Sequence, residues 1–163
     1  MQELDNFIQS MKDEAGHLIS FAGMEEEMQR LVVERKWDGL ESTILRLRKK
    51  SDLVDRAENG RVRSFQMLKV VLGIPEDAGF FKLLPFIPEE KRRSLTESYR
   101  KLKLAVYAVK GATLRLSYYF QSYSETVKKI MGEIFPHRKG KLYSHTGRPT
   151  GTIDERLVLD KRM

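Results

Sequence analysis

The residues best suited to chemistry in this chain gather near its C-terminal end, in FPHRKGKLYSHTGRPTG at 135–151. Two of the chain's three histidines, His137 and His145, lie there beside Lys, Arg, Gly and Tyr, and the third is His17. Such a stretch raises four chemistries: a metal site, a phosphate loop, a nucleic-acid clamp and a tether for a protein partner. A phosphate loop of the Walker kind needs Gly-x-x-x-x-Gly-Lys followed by Ser or Thr. Gly140-Lys141 is followed by Leu142, and no glycine stands at position 135, so that pattern is not met. A metal site would rest on histidines separated by eight residues among positive neighbours, with no cysteine anywhere and no HExxH or HxxxH spacing. Serines at 117, 122 and 124 have neither a glycine elbow nor a nearby histidine to activate them. The carboxylate runs Glu89-Glu90 and Glu25-Glu26-Glu27 fit helix starts and solvated faces better than a general acid–base pair. Catalysis, cofactor binding and metal binding therefore receive no support.

The positive charge needs locating before it can name a partner. The chain of 163 residues carries a formal net charge of +7. Residues 1–34 hold 8 acids and 2 bases, whereas residues 35–72 hold 5 acids and 10 bases. An acidic first segment beside basic later ones suits helices that pack on one another, whereas a nucleic-acid footprint would be a concentrated basic stripe. His137-Arg138-Lys139-Gly140-Lys141 beside Tyr143 is the one place where phosphate contact and base stacking could combine, which keeps a nucleic-acid reading open.

Around these residues the pattern is helical. Leu4, Ile8, Met11, Ala15, Leu18 and Ala22 step by threes and fours, which predicts a first helix over about 3–34. Asp38 with Glu41 has the spacing to cap a second helix over 38–72, whose stripe of Leu40, Ile44, Leu47, Val54, Phe65, Leu68 and Leu72 is interrupted by polar residues. Gly73-Ile74-Pro75 stops it, and FFKLLPFIP is apolar enough to fold back on the helices. Pro88-Glu89-Glu90 starts a third helix to about 134. Leu95, Tyr99, Leu102, Val106, Val109, Thr113, Leu116, Phe120, Tyr123, Val127, Ile130 and Ile134 repeat along it in 4-3 steps, a coiled-coil-like seam with Thr113 as its one polar member. A second stripe, Leu104, Tyr107, Gly111, Leu114 and Tyr118, lies away from that seam. It is either buried by another helix of the bundle or left open as a groove for a partner helix. The expected fold is all-α: three long antiparallel helices in a bundle over 1–135, then a flexible basic tail over 136–163. Within the tail, Thr152 and Glu155 have capping-box spacing, and Ile153, Leu157 and Val158 share one side of a short terminal helix. The polar, acidic beginning is not a secretory signal, and no apolar run is long enough for a bilayer, so a cytoplasmic protein without membrane insertion is expected.

These features resemble the FlgN-type flagellar export chaperones. PHRKGKLYSHTG at 136–147 is similar to that family's segment leading from the last long helix into a tyrosine and a nearby glycine. EMQRLVVERKWDGLESTILRLRKKSDLV at 27–54 is similar to its first turnaround. Where the family carries Asn-x-x-Asn on the last helix, this chain has Thr113 and Leu116. The resemblance implies a cytoplasmic type III secretion chaperone for bacterial motility, without enzymatic activity or cofactor. It would bind hook-associated proteins such as FlgK and FlgL, prevent their premature association and deliver them to components of the export gate. Partner-binding residues would be Leu114, Tyr118, Tyr119 and Tyr123 on the third helix, with Tyr143, Gly147 and Leu157 in the tail. Two other classes stay open: a basic helical nucleic-acid-binding protein, and a coiled-coil subunit that forms a homo-oligomer.

Overall fold

A run in which every third or fourth residue is apolar becomes a helix with one dry side, and the first such run does so. The structure, a computed structural model, describes residues 2–134, with side chains as far as 125. Helix α1 spans Gln2–Val33 and buries Leu4, Phe7, Ile8, Met11, Ala15, Leu18 and Ala22 along that side. It ends in crossed backbone bonds, Arg35 N–H to Val32 O at 3.2 Å and Lys36 N–H to Leu31 O at 2.9 Å. Arg35 takes the left-handed position at φ 55°, where glycine is the usual residue.

Because only residues 34–36 separate the helices, α2 (Trp37–Leu72) begins before Asp38 can cap it. The capping residue is Lys36, which makes no side-chain cap bond. Asp38 lies instead in the first turn, where its charge suits the positive end of the helix dipole. Helix α2 runs antiparallel to α1. Arg46 donates to Glu27 at 3.2 Å, Lys50 donates to His17 Nδ1 at 3.1 Å, Arg61 bonds Glu14, and Phe65 stacks on Phe7 with centroids 5.1 Å apart. Glu14 is buried, and desolvation raises its pKa even though the Arg61 charge and hydrogen bond pull it down.

Gly73, at φ 65°, closes α2 with the same crossed pattern, Ile74 N–H reaching Lys69 O at 3.0 Å. The connector then folds inward through a short 3-10 helix, Phe80–Phe86. Ile74, Ala78, Phe80, Leu83 and Ile87 are buried, and Phe80 lies flat on Tyr99 with centroids 3.8 Å apart. Lys69 holds this loop. It is buried, its ammonium donates to the carbonyls of Glu76 and Ala78, and it lies 4.3 Å from the centre of the Phe65 ring.

Pro88 accepts from the backbone N–H groups of Lys91 and Arg92 at 2.9 and 3.1 Å, and α3 (Glu89–Ile134) follows with Glu89 and Glu90 in its first turn. Lys91 pairs with Asp5, and further along Thr113 meets Glu25 and Arg115 meets Glu26, so α3 runs parallel to α1. The fold is thus all-α, three long helices in antiparallel succession, with no strand among the described residues. None of these helices is long and apolar enough to cross a membrane. The chain divides into two units, Met1–Ser122 and Tyr123–Met163. The contacts given above all belong to the first, and the described part of the second is the last turns of α3. The expected flexible tail over 136–163 and its expected short terminal helix lie outside the described residues.

Candidate partner-binding site

Helix α3 carries apolar residues on two faces, and the structure treats the faces differently. On the inner face Leu95, Leu102, Ala105, Val109, Ala112 and Leu116 are buried against the core. Tyr99 and Val106 are half-buried beside them. Fully burying a leucine is worth about 1.5–3 kcal/mol, so this face holds the bundle together. Past Leu116 the seam opens, because Phe120 is 41% exposed. The expected unbroken seam therefore stops short. Glu25 of α1 meets Thr113, so α1, which ends at Val33, has nearly run out by the level of Phe120.

The seam's one polar position has a partner. Thr113 Oγ1 donates to Glu25 Oε1 at 2.7 Å, and Glu25 is buried with no partner for Oε2 among the described residues. Burial raises the Glu25 pKa, against the opposing pull of the Thr113 bond and the Arg115 charge. The reading of Glu25-Glu26-Glu27 as a solvated face is corrected here. Glu25 follows Leu18 and Ala22 at helical spacing and so falls on the dry side. Glu26 is exposed and pairs with Arg115 at 2.8 Å, while Glu27 pairs with Arg46. A buried polar pair of this kind favours one register between α1 and α3 over its neighbours.

The outer stripe lies opposite the core. Leu104, Tyr107, Leu114 and Tyr118 are 53%, 61%, 57% and 69% exposed, so no helix of the bundle covers them, which corrects the reading of this stripe as buried by another helix. Its borders are basic. Lys103 and Lys110 flank one side and Arg115 and Lys101 the other, at the angles set by 3.6 residues per turn. Lys103 lies over the Tyr99 ring and Lys110 over the Tyr107 ring, with the nitrogens 5.6 and 6.0 Å from the centroids. At Leu104 the stripe meets a groove between α1 and α3. Its floor is small, made by Ala15, Gly16, Ala105 and Ala108. Exposed Ile19 and Leu104 form its walls, and Lys12 and Lys101 its rim.

Of the residues expected to bind a partner, Leu114 and Tyr118 share this stripe one turn apart. Tyr119 is 43% exposed but, about 100° further round the helix, faces away from the stripe's centre. Tyr123 is 48% exposed and belongs to the second unit. Tyr143, Gly147 and Leu157 lie outside the described residues, as do His137 and His145. His17 is half-buried, and its Nδ1 accepts from the Lys50 ammonium. Sequence reasoning missed two contributors, Ile19 and the lysine borders. Ile19 stands off the α1 stripe, and its line with Lys12 and Gly16 was its only signal. The lysine borders were visible as spacing. Comparison of the chain with family models, curated proteins and solved structures finds no match.

Proposed function

We propose that this chain is a binding protein that covers an amphipathic helical segment of another protein, acting as a cytoplasmic type III export chaperone of the FlgN kind for hook-associated proteins such as FlgK and FlgL. The observation that carries the reading is the exposed stripe of Leu104, Tyr107, Leu114 and Tyr118, four apolar side chains at helical spacing on the outer face of α3. An exported coiled-coil segment exposes such a stripe of its own before assembly, and pairing the two hides both from water until release. The resemblance of residues 136–147 to the family's tyrosine and glycine segment supports the same cargo class and a tail that serves as the handle toward the export gate. Binding is non-enzymatic, and its interface is modest enough to reverse.

The reading is tested by co-purification with hook-associated proteins, using the full chain and one ending at residue 135. The full chain is expected to hold the cargo in a soluble, unassembled complex, and the shortened chain to retain cargo binding through α3 while delivering it poorly. No complex with any hook-associated protein removes the reading.

A further inference from the structure

We propose that the outer face of α3 selects an amphipathic helix with acidic flanks and rejects one with basic flanks. This rests on the reading above, that a helix of another protein covers the stripe, and adds the chemistry by which that helix is chosen.

The charge pattern around the stripe is one-sided. From Ser98 to Ser122, α3 carries Arg100, Lys101, Lys103, Lys110 and Arg115 and no acidic residue. Two of these bases are already engaged, Arg115 with Glu26 and Lys101 with Glu97. Lys103 and Lys110 pair with no carboxylate among the described residues and border the stripe on one side. Arg100 and Arg93 extend the line of the stripe toward the start of α3, and the adjoining groove adds Lys12 on its rim. A helix laid along Leu104, Tyr107, Leu114 and Tyr118 brings its flanking positions beside Lys103, Lys110 and Arg115. Acids there gain attraction, and bases meet like charge.

The same pattern decides against other occupants. A second copy docked stripe to stripe sets Lys103, Lys110 and Arg115 against their own equivalents. A phosphate backbone asks for a continuous basic track, whereas here the centre line is aliphatic and aromatic over four successive apolar contacts and the bases stand at its edges. The open space at Gly16 and Gly23 of α1, where an added Cβ would meet nothing within 4 Å, leaves that side of the groove clear for a helix to approach.

The test uses the full chain and two fluorescent peptides of roughly three heptads, each with leucine at a and d. One carries glutamate at every e and g position, and the other lysine. By anisotropy the glutamate peptide is expected to bind about tenfold tighter or better, with the gap narrowing as salt is raised. The double variant Lys103→Glu with Lys110→Glu is expected to shift preference toward the lysine peptide, its helicity unchanged by circular dichroism. Equal affinity for the two peptides overturns the proposal while leaving helix docking intact, and no binding of either overturns both. Displacement of the glutamate peptide by an RNA of about 20 nucleotides at matching concentration overturns it in favour of a phosphate site. Self-association that Leu114→Asp abolishes overturns it in favour of a second copy. Neither peptide contains flagellar sequence, so failure of the co-purification above removes the export reading without touching this result.

Discussion

The two faces of α3 have the same spacing and opposite fates. Leu95, Leu102, Val109 and Leu116 on one side are buried, and Leu104, Tyr107, Leu114 and Tyr118 on the other stand in solvent. What separates them is their neighbours. The inner row is bordered by small, uncharged residues, Ser98, Ala105 and Ala112, all of them buried. The outer row is bordered by Lys103, Lys110 and Arg115; Arg115 reaches α1 through Glu26, and the two lysines meet no carboxylate among the described residues. Apolar spacing locates a face that wants covering, and the residues beside it say whether the chain covers that face itself.

The contrast is sharpest in stability. Leu95→Ala is expected to cost about 2–5 kcal/mol, because a fully buried side chain leaves a cavity, whereas Leu114→Ala should stay within about 0.5 kcal/mol. Denaturant unfolding of both variants measures the difference, and equal losses would break the distinction between the faces. A smaller contrast lies between the two turns. Gly73→Ala places a side chain at φ 65° and should cost about 1 kcal/mol, while Arg35→Gly relieves φ 55° and should gain up to about 1 kcal/mol.

The inner face also has a pH signature. Burial holds the Glu25 carboxyl above the ordinary glutamate range, so the folded chain takes up that proton more readily than the unfolded one. The resulting stability is fully present below the unfolded glutamate pKa and is lost as pH rises through the folded value. Glu14 contributes in the same direction, and the exposed Glu34 and Glu97, held low by bonds from Lys36 and Lys101, in the opposite one. The difference between wild type and Glu25→Gln isolates the buried group. The variant should be the more stable at neutral pH, with that advantage shrinking as pH falls. An advantage that grows on acidification would contradict the burial of Glu25.

The helices were legible because apolar spacing, Gly73-Ile74-Pro75 and Pro88-Glu89-Glu90 are local signals. Thr113 was legible as the odd member of the seam, but its partner was not, since Glu25 in a run of three glutamates looks solvated until α3 is laid beside α1. The shortened seam at Phe120 depends on where α1 ends relative to α3, which no periodicity within α3 contains. Asp38 failed as a cap because the turn before it is tighter than its spacing suggested. On the candidate site, spacing alone put Leu114 and Tyr118 on one stripe, and both are exposed there. Ile19 was missed because it joins the site only when two helices meet.

The central claim is that the outer face of α3 binds and the inner face only builds. Binding of a hook-associated protein by the double variant Leu114→Asp with Tyr118→Asp, followed by titration calorimetry beside its thermal melt, tests this most directly. The account predicts an unchanged melting temperature with affinity reduced about tenfold or more. Wild-type affinity in a folded variant would contradict it.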